Sequence, residues 1–226
     1  MNTLGINIIG RWGNQLFQFA YARALAEKHG WKLNAVGWSG KSVFVDDPIL
    51  TDAPPDLTIS GYFQSQEDLI YTRMDVLSWF IIKPSLQSFL SRLPEEYKLA
   101  HRRNGDYIQS GFPVISKASY LAVAPDAVFV TEEEPCIVNG MPEGFSFLPD
   151  FWRMMHCRRL IRSNSSFSWW AATLGDAVVL SPVINGLCGG KEHDGVKFVE
   201  GNWPRLANLD FTTNLHLRPS KWDSYV

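Results

Sequence analysis

The chain opens on an apolar run, Leu4 to Ile9, and then changes period. Between Gln15 and His29, Phe17, Ala20, Tyr21, Ala24 and Leu25 recur at the spacing of one helix face, and Gly30 stands where such a helix ends. Lys32 to Val36 predicts a second strand, so the opening spells β-α-β. Asp46 to Leu57 (DDPILTDAPPDL) is rich in turn formers and predicts a surface loop. LTISGYFQS follows as a strand ending at Gly61. Ser65 to Ser91 is mostly helical in character, with an interruption at Lys83-Pro84.

The alternation resumes beyond Pro94-Glu95-Glu96, where a domain boundary is expected near residue 95. YKLAHRRNGDY predicts a strand running into a polar glycine turn. Ala127–Thr131 and Cys136–Gly140 predict two more strands, Asp150–His156 a helix, RLIRSN a strand, Ser166–Leu174 a helix and Ala177–Pro182 a closing strand. Strands alternating with helices predict α/β architecture with parallel sheets, residues 1–95 forming one half and 96–226 the other. There is no internal repeat and no low-complexity tract.

Composition narrows the class. Of 226 residues, 46% are hydrophobic and 13% aromatic, ample for a packed core. A net charge of −2 argues against a broad basic face for nucleic acid. Basic residues do cluster at Arg102-Arg103 and at Arg158-Arg159-Arg162, enough for one small anion. Three cysteines without a C-x-x-C point to a reducing, cytoplasmic setting. No uncharged run approaches the roughly 18 apolar residues of a membrane span, and the N-terminus lacks a signal-peptide pattern.

Three segments carry candidate chemistry. In Gly10-Arg11-Trp12-Gly13-Asn14-Gln15, glycines between a strand and a helix let backbone approach a ligand. The helix start favours an anion, Arg11 adds a planar fork and Asn14 both donor and acceptor, although an ordinary strand-to-helix turn fits equally well. His101-Arg102-Arg103-Asn104-Gly105-Asp106-Tyr107 falls at the carboxyl end of a strand, where open α/β sheets hold ligands. Alternation puts His101 and Arg103 on one face and Arg102 on the other. An Arg there can stabilise a departing diphosphate, with Asp106 pinning it or holding a ribose hydroxyl; a surface salt-bridge turn is the plainer alternative. In Ser163-Asn164-Ser165-Ser166-Phe167-Ser168-Trp169-Trp170, hydroxyls exceed what capping a helix requires, and the surplus suits phosphate oxygens. Trp169 and Trp170 read as packing. No D-x-D, no G-x-S-x-G and no His/Cys ligand spacing is present; Asp46-Asp47, the adjacent Asp pair, lies in the loop.

These segments in this order resemble the α-1,2-fucosyltransferase family. Its pattern of G-x-x-G-N-Q-[LM]-F-Q-[FY]-A, G-Y-F-Q-S, H-x-R-x-G-D-Y and N-S-[ST]-F-S-W-W is matched at Gly10–Ala20, Gly61–Ser65, His101–Tyr107 and Asn164–Trp170. GRWGNQ also looks like the corresponding turn of protein O-fucosyltransferases. The resemblance implies a GT-B-like fold, two Rossmann-like halves facing a cleft. It implies inverting, metal-independent transfer of fucose from GDP-β-L-fucose to a glycan hydroxyl, with no cofactor, and a galactose-terminated acceptor in α-1,2 linkage. By position, Arg103 would assist departure of GDP, with Arg11 and Asn14 reaching the diphosphate or fucose from the first half. His101, Gly105, Asp106, Asn164, Ser165, Ser166 and Phe167 would line the donor pocket, and Asp150 would read the guanine edge, an N-cap role being its alternative. No general base stands out; Glu67 and Asp68 are nominal choices against a plain surface role. The chain departs from the pattern where Asn104 stands for an Arg, and where Thr131-Glu132-Glu133 stands for S-D-D. Another GDP-sugar or linkage, and a relative that binds without turnover, remain alternatives.

Overall fold

The computed structural model describes residues 1–184 and 186–202; the end of the expected second half, with His216, lies outside them. The backbone forms two compact units that part between Ile81 and Ile82.

The first unit begins with β1 (Thr3–Asn7), whose Leu4 and Ile6 are almost wholly buried. Helix α1 (Trp12–Lys28) starts earlier than its apolar period shows, because Asn14 and Gln15 fill its first turn. It is buried on most sides, so it reads as nearly apolar all round. Gly30, at φ +64°, ends it: its N–H reaches Glu27 O at 3.1 Å and the Trp31 N–H reaches Ala26 O at 2.8 Å, the paired bonds of a left-handed C-cap. The chain returns as β2 (Lys32–Val36) and later as β3 (Leu57–Ile59), in the order β2-β1-β3, all parallel. Leu4 lies opposite Leu33 and Leu57, so one row of apolar side chains runs across the sheet. Residues 46–56 form the expected irregular loop. The helical stretch resolves into a 3-10 turn (Gln66–Asp68), α2 (Arg73–Trp79) and α3 (Pro84–Leu90), the last opened by its proline. With the boundary at 81/82 rather than near 95, α3 belongs to the second unit.

The second unit carries β4 (Lys98–His101), α4 (Gly105–Gln109), β5 (Val114–Ile115), α5 (Lys117–Val123), β6 (Val128–Val130), α6 (Leu148–His156), β7 (Arg159–Ile161), α7 (Ser166–Leu174), β8 (Val178–Pro182), β9 (Glu192–His193) and β10 (Phe198–Glu200). Its main sheet has the order β10-β8-β7-β4-β6. β6, β4, β7 and β8 run parallel, and β5 pairs with β9 beside them. Leu99, Ala100, Leu160 and Ile161 are fully buried, as parallel strands covered on both faces must be. Helix α7, packed on α6, buries Trp169 and Trp170 completely, their rings meeting edge to face at 5.1 Å. Both units are therefore α/β with sheets that are mainly parallel.

Three expectations are corrected. Cys136–Gly140 is not a strand: the Cys136 N–H goes to the Asp150 carboxylate at 3.1 Å, Ile137 stays 83% exposed, and the Met141 N–H turns back to Val138 O. Strand-like composition there finds no neighbour to pair with. β10 runs antiparallel to β8, so the second sheet is not purely parallel. The polar turn after β4 is itself the start of α4, a helix too short to show a period.

Candidate functional site

In the second unit β7, β4 and β6 are neighbours and parallel, so their carboxyl ends stand side by side. Each ends in a candidate segment: His101-Arg102-Arg103-Asn104 after β4, Thr131-Glu132-Glu133 after β6, and Arg162 to Ser165 after β7. Sheet order thus brings the H-x-R and N-S-S-F segments together, some sixty residues apart in sequence. His101 Nδ1 lies 2.9 Å from Ser163 Oγ, and the Tyr107 hydroxyl donates to the Asn164 carbonyl at 3.2 Å.

His101 is buried and packs against the Phe167 ring at 5.7 Å. Burial, then the nearby Arg103 charge, pushes the imidazole down to about 3, so it is neutral in any physiological setting. It therefore serves as an uncharged hydrogen-bonding wall. Arg103 sits on the same side, its guanidinium 5.2 Å from the Tyr107 ring centre. Its fork is held by Asp106 Oδ1 at 2.6 Å and by the Glu132 carboxylate. Arg102 turns away to Glu192 of β9, as strand alternation requires. Gly105 lies against the tip of the Glu132 side chain. Asn104 donates to Glu133 at 2.7 Å, so two carboxylates after β6 hold the loop after β4.

The serine segment divides its labour. Ser165 caps α7, its hydroxyl accepting from the Phe167 N–H at 3.2 Å. Ser163 and Ser168 belong to a buried network with His101 and the Ser165 carbonyl. Asn164 donates to Pro113 O at 3.0 Å, while its buried Oδ1 has no partner among the described residues. Ser166 is buried at the helix start. Phe167 is framed by His101, Phe147 and Phe151.

Asp150 lies in the first turn of α6 and is not its cap, which is Phe147. It accepts from Cys136 N–H and from Arg153 at 3.2 Å, and burial raises its carboxyl. The basic cluster at 158–162 is dispersed, with Arg158 and Arg159 exposed and Arg162 wholly buried. Arg162 donates to Ser181 Oγ and Ser163 O, and desolvation pushes it down to about 9. All three cysteines are free, and burial pushes Cys157 up to about 12.

In the first unit, Arg11 precedes α1 with exposed side chain, and its carbonyl accepts from the Asn14 and Gln15 N–H groups. Asn14 Oδ1 accepts from Gln64 at 2.9 Å, joining the GRWGNQ turn to GYFQS. Gln18 clamps Ile9 through both its N–H and its carbonyl, fixing the entry to the turn. Phe63, inside GYFQS, has φ +50°, a strained value for a bulky residue, and stacks on Tyr21 at 4.1 Å. Asp68 is spent on a capping box with Ser65. Sequence reasoning assigned no individual role to Gln64 or Tyr107, placed Ser163 among hydroxyls suited to phosphate, and met Glu132 only as a departure from S-D-D.

Among the described residues, no group of three His, Cys, Asp or Glu side chains is placed to hold a metal ion, and no helix is long and apolar enough to cross a membrane. No family model, no curated protein and no solved structure matches the chain.

Proposed function

We propose that this protein is a glycosyltransferase of GT-B type that moves L-fucose from GDP-β-L-fucose to a hydroxyl of a galactose-terminated glycan, in α-1,2 linkage, with inversion and without metal. The observation that carries this reading is the junction of the H-x-R and N-S-S-F segments, sealed by the bond between His101 and Ser163. In the proposed mechanism the bond to GDP breaks with oxocarbenium character. Arg103 takes up charge developing on the diphosphate, and the acceptor hydroxyl attacks the opposite face. His101, Gly105, Asp106, Asn164, Ser165, Ser166 and Phe167 form the donor pocket, with Arg11 and Asn14 assigned to transfer by the resemblance. For Asp150, the bonds to Cys136 and Arg153 support a role in shaping the pocket loop rather than direct contact with guanine.

The test is incubation with GDP-fucose, GDP-mannose and UDP-sugars, with and without a glycan array, following release of nucleoside diphosphate. Turnover of GDP-fucose alone supports the reading. Turnover of another donor replaces it with a different sugar transfer, and no turnover of any donor removes the enzyme.

One observation favours a second reading, a relative that binds without turning over. Arg103 is already matched by two carboxylates, so an incoming diphosphate must displace one of them. The two carboxylates are similarly exposed, Asp106 at 39% and Glu132 at 34%, but Asp106 lies three residues from Arg103 in the same turn, so Glu132, from a different strand end, is the one assigned to exchange. Glu132→Gln is expected to tighten GDP binding about three- to tenfold by calorimetry, since it removes the competing charge. Unchanged or weaker binding would mean that the diphosphate does not seat on Arg103.

A further inference from the structure

The Asp46-Asp47 loop, which the donor chemistry leaves unused, borders a cavity of about 230 Å³ within the first unit. The cavity opens beside α1, where the chain leaves β2. Four aromatic side chains line it: Trp38, Phe44 and Phe80, only 3% to 6% exposed, and the half-buried Trp79. These rings are held firmly. Trp38 stacks on Phe19 at 4.3 Å and 8°, and Phe44 packs on Phe80 at 5.0 Å. Trp79 is fixed by the Arg23 guanidinium, 4.3 Å from its ring centre. Arg23 is itself anchored by Asp47 and Glu27, each at 2.6 Å. A platform of this kind loses little freedom when a ligand lies on it.

The rim has the opposite character. Lys41, Asp46, Thr51 and Asp52 surround the opening, with Lys41 Nζ 3.5 Å from Asp52 Oδ1. Donors and acceptors are therefore mixed above an apolar floor. The mixture decides the ligand class. An anion would meet carboxylates on the rim. A quaternary ammonium suits an aromatic cage, but Lys41 opposes it and the Asp47 charge is already met by Arg23. A purely apolar ligand would strip water from the rim without repaying it. A neutral ring with C–H faces and hydroxyl edges satisfies both parts. Its polarised C–H groups meet the half-buried Trp79 ring, and its hydroxyls donate to carboxylate and accept from ammonium.

We propose that this cavity seats one pyranose ring of a glycan. The proposal rests on the transferase reading only in naming a glycan as the source of the sugar. The cavity lies inside one unit, and its chemistry is independent of the donor site.

The test is saturation-transfer NMR on the full chain, with methyl galactoside, methyl glucoside, methyl fucoside and tetramethylammonium as probes and GDP as a separate ligand. At least one methyl glycoside is expected to bind. Trp79→Ala is expected to weaken that binding about tenfold, and Asp46→Asn severalfold, with GDP binding unchanged in both. Asp46 is exposed, so its variant remains informative if Trp79→Ala fails to fold. No glycoside binding to the folded protein overturns the proposal, as does binding of tetramethylammonium in place of sugars. Glycoside binding indifferent to both substitutions overturns it too. The two readings fail separately: glycoside binding without donor turnover leaves this site standing and removes the transferase, whereas donor turnover without glycoside binding does the reverse.

Discussion

Arg103→Ala is expected to lower turnover of GDP-fucose by about a hundred- to a thousandfold or more, the scale on which loss of one preorganised charge-stabilising donor is felt. The side chain is 11% exposed, stands after β4 beside the start of α7, and is aimed by Asp106 and Glu132 before any ligand arrives. Once the diphosphate has displaced Glu132, a guanidinium still held by Asp106 needs little further reorganisation as charge develops on the leaving group. Removing it has a second effect, leaving Asp106 and Glu132 facing each other, so GDP binding should weaken as well. Arg103→Lys separates the two. It keeps the positive charge between the carboxylates and so the fold, but lacks the planar fork, and should recover GDP binding better than turnover. Steady-state kinetics of both variants, with calorimetry of GDP binding, make the comparison. Equal turnover in wild type and Arg103→Ala would remove Arg103 from the reaction. A measurable wild-type rate is what separates an enzyme from a binder.

Elements with a strong local signature were legible. α1 shows a helical period and a glycine stop, and Gly30 ends it through bonds that left-handed backbone permits. β2 and α7 match their expected spans because apolar periodicity and turn residues agree at both ends. Cys136–Gly140 failed for the opposite reason: its residues favour a strand, but pairing is decided by what lies beside it, and Asp150 takes its amide. α4, β5 and β9 are too short for any period to register. The site divides the same way. His101, Arg103 and Ser165 could be proposed because glycine, arginine and serine sit at strand ends, where backbone chemistry is predictable. Gln64 bonding to Asn14, and Glu132 held against Arg103, depend on which strand ends become neighbours, and strand order is not written locally.

His101 should make stability depend on pH in a specific direction. Unfolded, a histidine titrates near 6.5; folded, burial and then Arg103 push this one down to about 3. The folded state therefore binds the proton less well than the unfolded state. The stability contributed by neutral His101 is full above about pH 6.5 and is lost as pH falls from there toward 3, at roughly 1 kcal/mol per pH unit. The cause is physical: an imidazolium at this position would be stripped of water, next to a second cation, with Ser163 as its recorded hydrogen-bond partner. His101→Gln retains an amide to meet Ser163 Oγ but does not titrate. Urea denaturation at pH 7.5 and again near pH 5 should show wild type losing about 1 to 2 kcal/mol more than the variant, whatever the offset between them at the higher pH. That window lies above the ordinary carboxylate range, and subtraction cancels the other histidines, which both proteins share. Parallel pH profiles would show that His101 takes up its proton without cost, which would contradict its burial and its bond to Ser163. The same experiment bears on the site, because the bond being stressed is the one that joins the two candidate segments. If acid weakens GDP binding in wild type over this window but not in His101→Gln, the junction between β4 and β7 is also what shapes the donor pocket.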